Sequence, residues 1–353
     1  MKKLKSISVY LLLFVLCSIF IASCSEDNPV IPTTAEPYQY DSARFNWKVD
    51  TLLGDGYLAG LWAPDTNEVF VPNIFENYYV HILNGIKTKI MYPKENRFGG
   101  IYGDENNIGY RLGAILIDTI YQPLLQIWNG SSFVDFPTPK NLDRNFFYWT
   151  AFVKNSADIW IGLTDGNIVK FDGSKFIVYP LFDTRIKSLK FFYDKNNKFK
   201  LLASIHHLDI DRTEFLIYEF TGSQWVKIFS DLNSMRPLKY VILNKYVSAN
   251  NRVTIFDLVD SQLVPRINIV PNATQFSMDG FSFDNIIVPG QGIIDDCYTT
   301  LFHWNGRKWS LELCGYWVDP STDVFMINEN YYYVVSYDQN GRTFIMQGIK
   351  KPF

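Results

Sequence analysis

Short hydrophobic runs of strand periodicity, each broken by turn residues, organise this chain, and the pattern is clearest between Asp158 and Phe176. Ile159, Ile161, Ile168, Lys170 and Phe176 recur with the alternation of a strand. The breaks at Thr164-Asp165-Gly166-Asn167 and Asp172-Gly173 carry residues that accept a positive φ. The stretch predicts two short strands, a turn, and a third strand.

Weaker copies of this unit recur. The inner turn returns at Asn84-Gly85, Asn129-Gly130, Thr221-Gly222, Asp260-Ser261 and Asn305-Gly306, and with Asp172-Gly173 in the series the spacings are 45, 43, 49, 39 and 45 residues. The flanks are alike: Ile127-Trp128 before and Phe133 after one turn, Lys170-Phe171 and Phe176, Glu219-Phe220 and Trp225, His303-Trp304 and Trp309. Several strands in a period of about 40 to 45 residues are the mark of propeller blades. A seventh unit, from Asp323 to Met346, lacks an outermost strand. Residues 44–50 look like the outer strands at 224–228 and 308–311 and have no inner strands of their own. Pairing them onto the last unit would protect two sheet edges. The expectation is an all-β, seven-bladed β-propeller over residues 43–353, with four-stranded antiparallel blades and an N-terminal strand closing the last.

Ile159, Trp160, Gly162, Gly166, Phe171, Asp172 and Gly173 resemble the two-component-regulator type of propeller repeat. That resemblance implies the fold; with no kinase or membrane segment following, it implies no sensor role.

Upstream the pattern changes. Lys2, Lys3 and Lys5 precede an apolar run at 7–21, which reads as a secretory signal over residues 1–23. Ile21-Ala22-Ser23-Cys24 resembles the lipobox of bacterial lipoproteins, which implies cleavage before Cys24 and its acylation. Ser25-Glu26-Asp27 resembles the surface-export signal of Bacteroidetes-type lipoproteins. Residues 24–42, with Pro29, Pro32 and Pro37, read as a semi-extended tether. These resemblances imply an outer-membrane lipoprotein of the cell envelope. No later apolar run is long enough to cross a bilayer, so membrane contact is expected through the Cys24 lipid alone.

Composition narrows the partners. A net charge of -3 gives no basic footprint for nucleic acid, and 17% aromatic residues suit a β protein. Cys297 and Cys314 remain after the signal and the lipid site, and an oxidising envelope suits a disulfide. If Asn305-Gly306 is a two-residue hairpin turn, these cysteines face each other at a non-hydrogen-bonded site, where side chains approach most closely.

Candidate chemistry is sparse. His81 and His303 fall in inner strands as structural histidines. His206, His207, Asp209, Asp211 and Arg212 read as a loop between strands at 201–205 and 214–218. Such a cluster offers metal ligands or acid/base groups. Connections of the same class bring Glu76, Asp118, Asp165, Asp295, Asp296 and Asp338 to that face, where carboxylates bind cations or cleave glycosides. Trp62, Trp149 and Trp160 suit sugar stacking or core packing equally. The sequence lacks an Asp box, His-Glu-x-x-His, Gly-x-Ser-x-Gly and a P-loop, and Gly290-Gln291-Gly292 is too short for a nucleotide site. The reading is a binding or scaffold protein for a protein or glycan partner, with no catalytic residues or cofactor. The alternative is a carbohydrate-active hydrolase or lyase.

Overall fold

The computed structural model describes residues 42–55, 60–73, 76–93, 96–104, 106–137, 148–180, 186–193, 199–209, 212–231, 238–242, 245–249, 253–259, 262–269, 274–275, 279–282, 285–294, 297–315, 323–337 and 342–352. The chain divides into Met1–Gln39 and Tyr40–Phe353. The first unit lies outside the described residues, and with it the expected signal, Cys24 and most of the tether. No helix among the described residues is long and apolar enough to cross a membrane.

The described strands form seven antiparallel sheets, which follow one another along the chain. β1 (Phe45–Asp55) comes first in sequence yet belongs to the last sheet. Sheet one is β2 (Glu68–Pro72), β3 (Tyr78–Leu83) and β4 (Ile86–Met91). Sheet two is β5 (Asn96–Gly103), β6 (Gly109–Ile117), β7 (Ile120–Trp128) and β8 (Phe133–Phe136). Sheet three is β9 (Tyr148–Asn155), β10 (Asp158–Leu163), β11 (Asn167–Phe171) and β12 (Phe176–Pro180). Sheet four is β13 (Ile186–Tyr193), β14 (Phe199–Asp209), β15 (Arg212–Phe220) and β16 (Trp225–Asp231). Sheet five is β17 (Leu238–Ile242), β18 (Lys245–Ala249), β19 (Val253–Val259) and β20 (Gln262–Ile269). In sheet six, β21 (Thr274–Gln275) and β22 (Asp279–Ser282) both pair with β23 (Asn285–Ile294), followed by β24 (Cys297–Trp304) and β25 (Trp309–Gly315). Sheet seven is β26 (Asp323–Asn328), β27 (Tyr331–Tyr337) and β28 (Arg342–Lys350), with β1 outermost.

The four-stranded expectation holds for five of these sheets. Sheet one has three strands, and its innermost position is held by a single bridge from Trp62 to Phe70. Sheet six splits its inner strand in two. β1 runs antiparallel to β28 from Phe45 opposite Lys350 to Thr51 opposite Phe344.

The core lies between sheets, which explains why β10 is apolar from Ile159 to Leu163. Ile159 and Ile161 pack with Tyr110, Leu112 and Leu125 of sheet two. Trp160, pointing the other way, packs with Leu201, Leu216 and Trp225 of sheet four. A strand buried on both faces needs hydrophobic residues at every position. Sheet seven likewise meets sheet one through Tyr333, Val335 and Ile345 against Val69, Val71 and Val80.

The inner turns come in two lengths. Leu83 pairs with Ile86, so Asn84-Gly85 is a two-residue turn with φ of 51° and 80°. Asn129, Asp172, Thr221 and Asn305 instead open four-residue loops, and their glycines sit at φ of 86° to 97°. At Asn129, Asp172 and Asn305 the first side chain closes the longer loop. Asn305 Oδ1 accepts from the N–H of Arg307 at 3.0 Å and of Lys308 at 2.9 Å, and Asn129 and Asp172 do the same. At Asp172 the N–H groups of Lys175 and Ser174 hold the carboxyl down, to about 2.

The longer loop corrects the cysteine register. Trp304 pairs with Trp309 and a bulge follows, so Cys314 lies opposite Thr300, while Cys297 lies opposite Ile294. The directly facing pair that a two-residue turn demands is absent. Cys314 is disulfide-bonded.

Candidate functional site

Each sheet has two ends. One carries the turns between third and fourth strands, and β1 enters there, beside Lys350. The other carries the hairpins between second and third strands, and with them Glu76, Asp118 and Asp165 of the expected ligand face.

In sheets two, four, six and seven these hairpins run on at least two residues past the inner strand, and two of them bear on the site. β5 stops at Asn96, opposite Ile115, whereas β6 and β7 continue to the pair Ile117–Ile120. The tip leaves Leu116 44%, Ile117 36% and Ile120 36% exposed, around Asp118 at φ 55°. β13 ends at Ile186, opposite Ile205, whereas β14 and β15 run on to the pair Asp209–Arg212.

This corrects the reading of 206–212 as a loop. His206 lies opposite Phe215, His207 opposite Glu214 and Leu208 opposite Thr213, all in strand. Asp211 lies outside the described residues, as do Asp295, Asp296 and Asp338. Asp295 and Asp296 fall between β23 and β24 of sheet six, so sheet five separates them in chain order from the sheet-four hairpin.

The remaining carboxylates of that end are exposed, and their turns are held locally. Asp165 Oδ1 accepts from Asn167 N–H at 3.0 Å, and the N–H of Glu76 donates to Asn73 at 2.7 Å. Among the described residues no three His, Cys, Asp or Glu side chains gather as metal ligands. Trp62 and Trp160 are 1% and 2% exposed, so both are core and neither offers a face to a sugar. The side chain of Trp149 lies outside the described residues.

Buried and half-buried charges tie sheets together, a use that no motif announces. Asp279 Oδ2 in sheet six accepts from Met326 N–H in sheet seven at 2.6 Å. Asp323 Oδ2 in sheet seven accepts from Gly60 N–H, ahead of sheet one, at 2.8 Å. Arg111 donates to Gln126 and lies 4.7 Å from the centre of the Phe133 ring and 5.1 Å from those of Tyr79 and Tyr92. Glu312 Oε2 accepts from the N–H of Arg44 and of Phe45, each at 2.9 Å.

Beside Glu312 stands His303, placed in a strand as expected. Its Nε2–H donates to Asn285 Oδ1 at 2.8 Å, where Tyr332 also donates at 2.8 Å. Asn285 Nδ2 donates to Glu329 O, which fixes the amide and therefore the imidazole tautomer. Nδ1 is left 3.8 Å from Glu312 Oε1, too far for a hydrogen bond. Burial, then the charges of Arg44 and Lys350, push the His303 pKa from 6.5 down to about 3. The unfolded chain takes this proton first as pH falls. His303 therefore contributes stability that is complete above pH 6.5 and lost between there and about 3. Urea denaturation is expected to show about 2 kcal/mol lost to this group between about pH 7 and pH 5, a loss that His303→Gln removes. An unchanged pH slope in that variant would exclude the assignment.

No protein-family model matches the chain, and no curated protein matches it. Solved structures do. YCF48 bound to D1 peptide superimposes with a TM-score of 0.59 at 9% identity, covering 89% of this chain and 100% of that one. YCF48 from Cyanidioschyzon merolae gives 0.57 at 9% identity, covering 85% and 98%. The WD40 beta propeller domain of Doa1 gives 0.58 at 11% identity, covering 86% and 97%. At such identities the match carries the fold alone. This chain is a β-propeller.

Proposed function

We propose that the chain is a lipid-anchored envelope propeller of seven blades, its last blade completed by β1, that binds a protein partner without catalysis. The observation that carries this reading is the exposed aliphatic tip of the β6–β7 hairpin, Leu116, Ile117 and Ile120. It lies at the end of the sheets opposite the entry of β1. Aliphatic side chains grouped on a projecting turn favour a protein surface over a polar ligand. YCF48, of the same fold, is bound to D1 peptide, and a protein partner is assigned here in the same spirit. The further elements of the reading are an outer-membrane location, blades of the two-component-regulator type, and a disulfide joining Cys314 to Cys297.

The test is capture from detergent extracts of the native envelope by the mature chain, in three forms of equal denaturation midpoint. Wild type and Ile86→Asp, a control at the other end of the sheets, are expected to retain the same protein. Leu116→Asp/Ile117→Asp is expected to lose it by at least about tenfold, the scale of one hot-spot side chain. Retention by the hairpin variant, with loss in His206→Ala/His207→Ala, would move the site to sheet four.

A further inference from the structure

A groove of about 240 Å³ opens at the seam between sheets seven and one, at the end of the sheets where β1 begins. Ile82 and Ile345, both buried, contribute its apolar lining. Much of its polar rim is already committed. The Lys87 ammonium is 2.7 Å from the Asp50 carboxylate and donates to Thr51 O at 2.6 Å. The hydrogen bond from Lys87 to the Asp50 carboxylate is the main cause holding Asp50 below its ordinary pKa. Tyr333 and Gln347 both donate to Thr66 O, at 2.7 Å and 3.3 Å.

Three further polar side chains line the groove, the Lys48 ammonium and the amides of Asn67 and Asn84. The charge of Lys48 acts on Asp50, though far less than that of Lys87. Because Asp50 and Lys87 neutralise each other, Lys48 leaves the groove one positive charge. A single cation, two neutral amides and an aliphatic patch match a hydroxyl-rich ring that bears one carboxylate. The volume lies below the roughly 300–1,000 Å³ of drug-sized sites, which limits the occupant to one ring.

We propose that this groove binds a single-ring sugar acid. Lys48 meets the carboxylate, Asn67 and Asn84 meet hydroxyls, and the isoleucines meet the C–H face of the ring. The site is independent of the hairpin tips and of any protein partner. Calorimetric titration of the mature chain with glucuronate tests it, with glucose and acetate as controls and Lys48→Ala and Asn67→Ala as variants. Saturable glucuronate binding is expected, weakened at least about tenfold by Lys48→Ala, with smaller loss in Asn67→Ala and weaker binding of both controls. Three results would overturn the proposal: no saturable glucuronate binding, equal affinity for glucose, or full binding by the Lys48 variant.

Discussion

Glu312→Ala is expected to destabilise the protein by about 3 to 5 kcal/mol and to loosen the first residues of β1. The carboxylate is fully buried, with side-chain exposure of 0%, and it serves three donors. These are the N–H groups of Arg44 and Phe45, each at 2.9 Å, and the Ser310 hydroxyl at 2.5 Å. Hydrogen bonds to a charged acceptor contribute about 1.5 to 3 kcal/mol each, and a buried donor left bare costs about 1 to 3 more. The contact also crosses from sheet six to the outermost strand of sheet seven. Phe45 adds an apolar key at the same point, edge-on to His303 at 5.1 Å and to Tyr332 at 5.2 Å. Glu312→Gln keeps one acceptor oxygen and is expected to lose about half as much. Denaturant midpoints give the stability, and amide exchange at Arg44 and Phe45 reports the strand itself. Protection unchanged in Glu312→Ala would mean that pairing with β28 alone holds β1.

Much of this architecture could be read from the chain. The turn dipeptides and their aromatic flanks located the repeats, and the resemblance of residues 44–50 to outer strands placed β1 beside β28. What failed were register and site. Asn-Gly opens both the two-residue turn at Asn84 and the four-residue loop at Asn305, and the loops differ in the Oδ1 hydrogen bonds that close them. A dipeptide does not encode that choice. The residues after it carry some of the signal, since Gly-Ser before a two-residue spacing to Phe or Trp marks three of the four longer loops. The stretch 206–212 was polar enough to pass for a loop, yet two strands can overshoot a sheet and stay paired while adding no core. Composition does not distinguish the two cases. Glu312, Asp279 and Asp323 gave no signal, because each serves a backbone N–H far away in sequence and any residue can supply an N–H.

Trp62 is seated on glycines that no motif connects with it, and losing it is expected to be costly. The indole is 1% exposed and stacks on Phe70 at 5.1 Å, while its Nε1–H donates to Asn107 Oδ1 at 3.3 Å. It lies on Gly103 and Gly109 of sheet two, where a Cβ at either position would overlap the ring. Among the described residues sheet one has no inner strand; the Trp62 backbone bridges to Phe70 at that position, and the indole reaches across to sheet two. Trp62→Ala is expected to cost about 3 to 5 kcal/mol through the cavity it opens. Gly109→Ala is expected to cost about 1 to 3 kcal/mol through overpacking against the ring. The two effects should not add. In a Trp62→Leu background the clash is gone, and Gly109→Ala should cost less than about 0.5 kcal/mol, leaving a coupling of at least about 0.5 kcal/mol in the double-mutant cycle. Additive losses would show that Gly109 is required by its backbone and not by the indole. Coupled losses would establish that Gly109 is bare of a side chain because the Trp62 indole lies on it.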